Sequence, residues 1–132
     1  MIGNMTLNNE LVQVVQQLID AGSNYRTEEL SKLYAPDLQN IMVQPDRKTI
    51  EFDYEQSLEF FRERKASGTA PILDEAEFLV SQQQGDLGFV IVARAPKKRA
   101  KYQVIVTLML RKTEQGFWQI FREHSVITVK PK

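Results

Sequence analysis

Imidazole is the side chain best suited to moving protons near neutral pH, and this chain carries one, His124. Two residues before it stands Arg122. Strand alternation puts both on one face with Trp118 and Ile120, provided no bulge intervenes. On a pocket wall that face supplies a base or a ligand-anchoring donor, with a guanidinium beside it to hold an anion. On an interface the same residues become a hydrogen-bonded histidine and an arginine paired to a carboxylate. Spacing alone leaves both readings open.

Aromatic surface comes from Tyr25, Tyr34, Tyr54, Phe60 and Phe61. Aromatics at helical spacing are more often core than ligand cage, but a buried phenol needs a polar partner, which singles out Tyr34 and Tyr54. Asp37 and Asp46 each sit beside a proline and read as turn residues. Other chemistries lack their residues. The chain has no cysteine and one histidine, so thiolate catalysis, disulfides and the usual metal-ligand spacings are not expected, and no cofactor is implied. Glycine-rich phosphate loops and nucleophile elbows are absent. Lys97, Lys98, Arg99 and Lys101 form a short basic run without an aromatic ladder, so it reads as a solvated hairpin tip and implies no nucleic-acid partner.

The elements that must position these groups follow from periodicity. Leu7, Leu11, Val14, Val15, Leu18 and Ile19 mark one face of a helix, with Thr6 as its cap and Gly22 as its close. Thr27-Glu28-Glu29 opens a second helix that buries Leu30, Leu33 and Tyr34 and stops at Pro36. Asp53 with Gln56 three residues on resembles a capping box, starting a third helix that runs to about Lys65. After Pro71 the apolar period drops to two. Strands are expected from Glu75, over Phe89–Ala95, Tyr102–Lys112 and Phe117–Val129, with a turn at Gly85–Gly88 and a shorter strand near Leu38–Val43.

Those strands are apolar on both faces. Val104, Val106, Leu108 and Leu110 alternate with Ile105, Thr107 and Met109. Three short helices cover only one face of a four- or five-stranded sheet, so the other face needs a cover. A second copy of the chain is the simplest one, and a homodimer through the sheet is expected.

Bulk properties suit one domain spanning residues 1–132. Hydrophobic residues make up 42% and charged residues 26%, and 17 basic residues balance 17 acidic ones. That balance argues against a nucleic-acid binder. Residues 1–22 lack the apolar run of a signal peptide, and Val104–Leu110 is too short to cross a bilayer. A soluble, cytoplasmic protein without membrane partners is expected.

Leu33-Tyr34-Ala35-Pro36-Asp37 after the second helix, and Gly116-Phe117-Trp118-Gln119-Ile120 through His124-Ser125 in the last strand, resemble the nuclear-transport-factor-two-like superfamily and its SnoaL-like branch. The order helix, helix, strand, helix, antiparallel meander agrees with it. The resemblance implies an α+β fold, a cone-shaped curved antiparallel sheet packed on three N-terminal helices. It implies a pocket inside the cone for a small hydrophobic ligand, and a homodimer through the convex sheet face. Tyr34, Met42, Tyr54, Phe61, Trp118 and Arg122 are the pocket candidates, and His124 is the catalytic one. Ketosteroid isomerases of this superfamily carry a carboxylate base and an oxyanion-holding tyrosine. Those positions fall here at Met42 and Val15, and no acid lies between Leu38 and Gln44. The usual isomerase design is therefore missing. Three readings remain: a small-molecule-binding domain, a lyase or isomerase acting on a small hydrophobic substrate, and a non-catalytic protein-interaction module.

Overall fold

The structure, a computed structural model, describes residues 7–95 and 101–130. Helix α1 (Asn9–Ser23) is capped by Asn8, whose side chain accepts from the Leu11 N–H. Thr6, the cap expected from the sequence, and the basic run at 97–100 lie outside the described residues. Helix α2 (Thr27–Leu33) ends where the chain passes directly into strand β1 (Tyr34–Val43). Pro36 therefore lies inside β1, beyond the helix it was expected to stop. Strand β2 (Thr49–Asp53) follows, and helix α3 (Tyr54–Ala66) opens on the complete Asp53–Gln56 capping box. Strands β3 (Glu75–Gln84), β4 (Leu87–Ala95), β5 (Tyr102–Lys112) and β6 (Trp118–Val129) form the meander.

The six strands make one sheet in the order β2-β1-β6-β5-β4-β3. Every pairing is antiparallel except that of β1 with β6, which is parallel. The sheet has one strand more than the largest expected, and the addition is β2. Its Ile50 and Phe52 alternate as a strand requires, but five residues ending in a helix cap give little signal. Asp46 builds the β1–β2 turn by accepting from the Lys48 N–H at 3.0 Å, while Arg47 takes φ 72°. Asp37 does not act as a turn residue. Its carboxylate forms a two-pronged pair with Arg111, at 2.7 and 3.3 Å.

The helices cover one face. Leu11, Val15 and Leu18 of α1, with Leu30, Leu38 and Leu58, pack on Val90, Val92, Leu108, Leu110 and Ile120. Fully burying each such side chain is worth about 1.5–3 kcal/mol. Gly88 lets α1 come close, since a Cβ there would sit 2.8 Å from Leu11 Cδ1. It belongs to β4, and the turn expected over Gly85–Gly88 shrinks to Gly85-Asp86.

The opposite, convex face carries Leu87, Phe89, Ile105, Met109 and Val126, and among the described residues no helix packs over it. Leu87 is 52% and Val126 44% exposed.

One irregularity in β6 decides which residues look into the cone. Met109 pairs with Arg122 and Leu110 with Ile120, so Phe121 is an extra residue in the strand. A bulge of this kind reverses the alternation beyond it. Trp118 and Ile120 face the helices, and past the bulge Glu123 and Ser125 take over that face. The expectation that Arg122 and His124 share a face with Trp118 and Ile120 is thereby corrected.

Candidate functional site

Between the concave sheet and the helices lies a cavity of about 170 Å³. Val15, Leu18 and Ile19 of α1, Phe61 of α3, and Val92, Val106 and Leu108 of the sheet give it an apolar wall. Ser23, Ile72 and Asp74, all partly exposed, form its rim. The rim segment before β3 is tied to the end of α1 by two bonds. Ile72 N–H donates to the Ser23 carbonyl at 2.9 Å, and the Tyr25 phenol donates to the Ala70 carbonyl at 2.8 Å.

Three polar side chains reach this apolar space from three strands: Tyr34 from β1, Arg94 from β4 and Glu123 from β6. Glu123 stands opposite Asn40 in the parallel β1–β6 register and opposite Leu108 in the β5–β6 register. Both placements put it on the concave face. The Tyr34 phenol donates to Glu123 Oε1 across a loose 3.5 Å, and the Asn40 amide donates to the same carboxyl. Arg94 gives its Nε–H to the Glu75 carbonyl at 3.2 Å and an Nη2–H to the Asp74 carbonyl at 3.5 Å.

The electrostatics follow from this enclosure. Glu123 keeps some surface open to the cavity, yet its carboxyl lies among protein atoms. Burial raises its pKa to about 7, against the opposing pull of the Tyr34 and Asn40 donors and the Arg94 charge. The Tyr34 phenol is pushed well above its ordinary value, first by burial and then by the neighbouring carboxylate. Burial lowers the Arg94 pKa, while Asp74 and Glu123 act in the other direction. A carboxyl poised near neutrality in an apolar cavity is equipped to give or take a proton.

The residues singled out in the sequence divide. Tyr34 and Phe61 line the cavity. Met42 shares the concave face, opposite Ser125 and two residues beyond Asn40, but does not line the cavity. Tyr54 packs against the core and donates to the Ser31 carbonyl at 2.7 Å. Trp118 is buried at 5% exposure, with its indole N–H donating to Glu10. Arg122 and His124 lie on the convex side. Arg122 donates to the carbonyls of Asp37 and Phe121. His124 stands opposite Thr107, in the row that also holds Met109 and Ile105. The bulge thus separates His124 from the cavity and puts Glu123 in its place.

Glu123, Arg94, Asp74 and Asn40 were not singled out. An acid or arginine inside an alternating strand reads as a solvated outer residue. The bulge and the β1–β6 register turn Glu123 inward and set Asn40 beside it, whereas Arg94 shares the face of Val90 and Val92 by plain alternation in β4, and Asp74 lies in the segment before β3. Among the described residues, no cluster of three or more metal-ligating side chains occurs, and no helix is long and apolar enough to cross a membrane.

No protein family model matches the sequence, and no curated protein does. Solved structures do resemble it. An NTF-2 like protein of unknown function from Silicibacter pomeroyi superposes with a TM-score of 0.73 at 13% identity, over 91% of this chain and 94% of that one. A cystatin-like fold protein from Burkholderia xenovorans gives 0.72 at 11% identity, over 93% and 92% of the two chains. An NTF2-like protein of unknown function from Shewanella baltica gives 0.69 at 12%, over 94% of both. These likenesses are ones of fold, and they establish it: an α+β cone of the NTF2-like, cystatin-like kind.

Proposed function

For a chain with this NTF2-like cone, we propose binding of a small, mainly apolar molecule in the cavity, with Glu123 and Tyr34 meeting its polar end. One observation carries the reading. The Glu123 carboxyl, whose pKa burial raises to about 7, lines a mainly apolar cavity of about 170 Å³, although burying it there opposes its ionisation. The size suits a ligand of about one ring, since an apolar cavity of about 150 Å³ accepts benzene. In this reading the protein is a single cytoplasmic domain, and the uncovered apolar convex face joins two copies.

A fragment screen followed by methyl NMR tests the binding. Ligands are expected to shift the signals of Val15, Leu18, Val92, Val106 and Leu108 together. Shifts confined to other parts of the molecule would remove the cavity as a binding site and leave the protein-interaction module as the better reading.

The acidity of Glu123 favours one second reading, a lyase or isomerase of a small hydrophobic substrate. Glu123 would then move the proton that the sequence assigned to His124, with Tyr34 holding the substrate oxygen. Once a substrate is in hand, Glu123→Gln separates the two. The amide keeps the shape and cannot carry the proton, so an enzyme loses turnover while a binding protein keeps its ligand.

A further inference from the structure

Two helices of this chain close in the same way, on residues of opposite kind. At the end of α3 the Gly68 N–H donates to the Lys65 carbonyl and the Thr69 N–H to the Arg64 carbonyl. That closure needs a left-handed residue, and Gly68 supplies it at φ 70°. At the end of α1 the Tyr25 N–H donates to the Gly22 carbonyl and the Arg26 N–H to the Ala21 carbonyl, so Tyr25 fills the corresponding position at φ 54°. Glycine takes this conformation freely, whereas a tyrosine takes it under strain. A residue held against its backbone preference directs attention to what its side chain supplies. Here the residue is buried, at 4% exposure, and its phenol donates to the Ala70 carbonyl at 2.8 Å.

Ala70 belongs to the connection between α3 and β3, residues 67–74, which forms neither helix nor strand. Ile72 and Asp74 line the cavity, and with Leu73 they also line a groove on the outer surface between α1 and β3. The wall there is one chain thick. Elsewhere the cavity is walled by Val15, Val92 and Leu108, which belong to the buried core and cannot part without unfolding it. The connection is held more lightly. Leu73 is 70% exposed. Beyond the Tyr25 bond, the Ile72 N–H donates to the Ser23 carbonyl at 2.9 Å. Arg94, which lines the cavity, donates to the Asp74 and Glu75 carbonyls at 3.5 and 3.2 Å. A segment with little buried apolar surface, tied by a few such bonds, is able to open by itself.

We propose that residues 69–74 are a gate to the cavity, hinged at Gly68 and latched by the Tyr25 phenol. Gly68 suits a hinge, since a Cβ there would meet nothing within 4 Å and glycine tolerates a wide range of backbone angles. Breaking the Tyr25–Ala70 and Ile72–Ser23 bonds frees the connection from the end of α1 and joins the cavity to the outer groove. The gate governs how fast a ligand enters and leaves, while the closed cavity that holds it stays the same. The proposal rests on the cavity being a binding site and adds its route of access.

The test combines hydrogen exchange on the whole chain, read residue by residue by NMR, with benzene as a one-ring probe. The Ile72 amide should exchange by local opening, well ahead of the amides of β5. Tyr25→Phe keeps the ring and removes the donor, so it should speed Ile72 exchange about 5-fold, the worth of one hydrogen bond, with the α1 amides unchanged. Benzene entry and exit, followed at the cavity methyls, should quicken by the same factor with an unchanged Kd. Tyr54→Phe, which removes the phenol bond to the Ser31 carbonyl, should alter neither rate. Suppose Ile72 exchanges only as fast as β5, or quickens in Tyr25→Phe only together with α1. The connection would then open with the rest of the fold, and the gate is overturned. Faster Ile72 exchange with unaltered benzene rates would overturn it as the route of entry while the binding site stands. If benzene moves no cavity methyl, the binding reading itself fails and takes the gate with it.

Discussion

The Tyr34 phenol lies 3.5 Å from Glu123 Oε1, although 89 positions separate the two residues in the chain. The parallel pairing of β1 with β6 brings them together, setting Tyr34 opposite Ile120 and Asn40 opposite Glu123. Between those two points β1 carries an irregular stretch and β6 carries the Phe121 bulge. Tyr34 and Glu123 meet because both strands are distorted at the same level of the sheet.

The pH dependence of stability follows from that pair. Burial raises the Glu123 pKa to about 7 in the folded state, above the ordinary carboxylate value that the unfolded chain keeps. Between the two values the folded state binds the proton and the unfolded state does not. Stability therefore falls as pH rises from about 4.5 to about 7 and levels off above it. The loss from this group is at most about 3 kcal/mol, and less to the extent that water in the cavity solvates the anion. Denaturant titrations at pH 5, 6, 7 and 8 should show this slope in the native protein and a flatter one in Glu123→Gln. Parallel profiles would place the carboxyl in contact with solvent.

Trp118 anchors the start of β6 against α1 through its buried ring and its bond to Glu10. Trp118→Ala should cost about 3–5 kcal/mol, read as a large drop in the melting temperature. An unchanged melting temperature would contradict this packing.

The two faces of β5 give a paired test of assembly. Val106 lines the cavity and Ile105 lies on the convex face. Val106→Glu should destabilise the fold, because it puts a charge into the apolar wall. Ile105→Glu should leave the fold intact and convert a dimer into a species near 15 kDa by sedimentation. A wild-type protein that sediments only as the smaller species at micromolar concentration would remove the dimer.

His124 offers the sharpest contrast with the cavity acid. His124→Gln should leave cavity binding, and any turnover, unchanged, because the residue lies on the opposite face in the row of Thr107 and Met109. Ligand titration of His124→Gln beside Glu123→Gln would decide the matter. Loss of binding in His124→Gln alone would return the imidazole to the mechanism.

Much of the architecture is local and was legible as such. Leu11, Val15 and Leu18 predict α1 because a 3.6-residue period is visible within one stretch of chain, and the Asp53–Gln56 box announces α3 in four residues. The two-sided apolar pattern of β5 foretold a sheet face that the helices leave uncovered. The Leu33–Asp37 and Gly116–Ser125 stretches pointed to the fold that the solved structures share. Strand β2 was missed because five residues carry too short a period.

The candidate site is another matter. Strict alternation from Trp118 carries His124 inward and Glu123 outward, and one extra residue at Phe121 exchanges them. A bulge is set by the partner strand and by the packing of Trp118 and Ile120 under the helices, so no window of sequence around residue 121 contains it. The approach of Asn40 and Tyr34 to Glu123 likewise depends on a parallel pairing between strands from opposite ends of the chain. Sequence by itself determined the helices, the strand period and the kind of fold, because each is written in neighbouring residues. Which acid faces the cavity, and so which group has its pKa moved by burial, was decided only when distant strands fell into register and fixed the direction of each side chain.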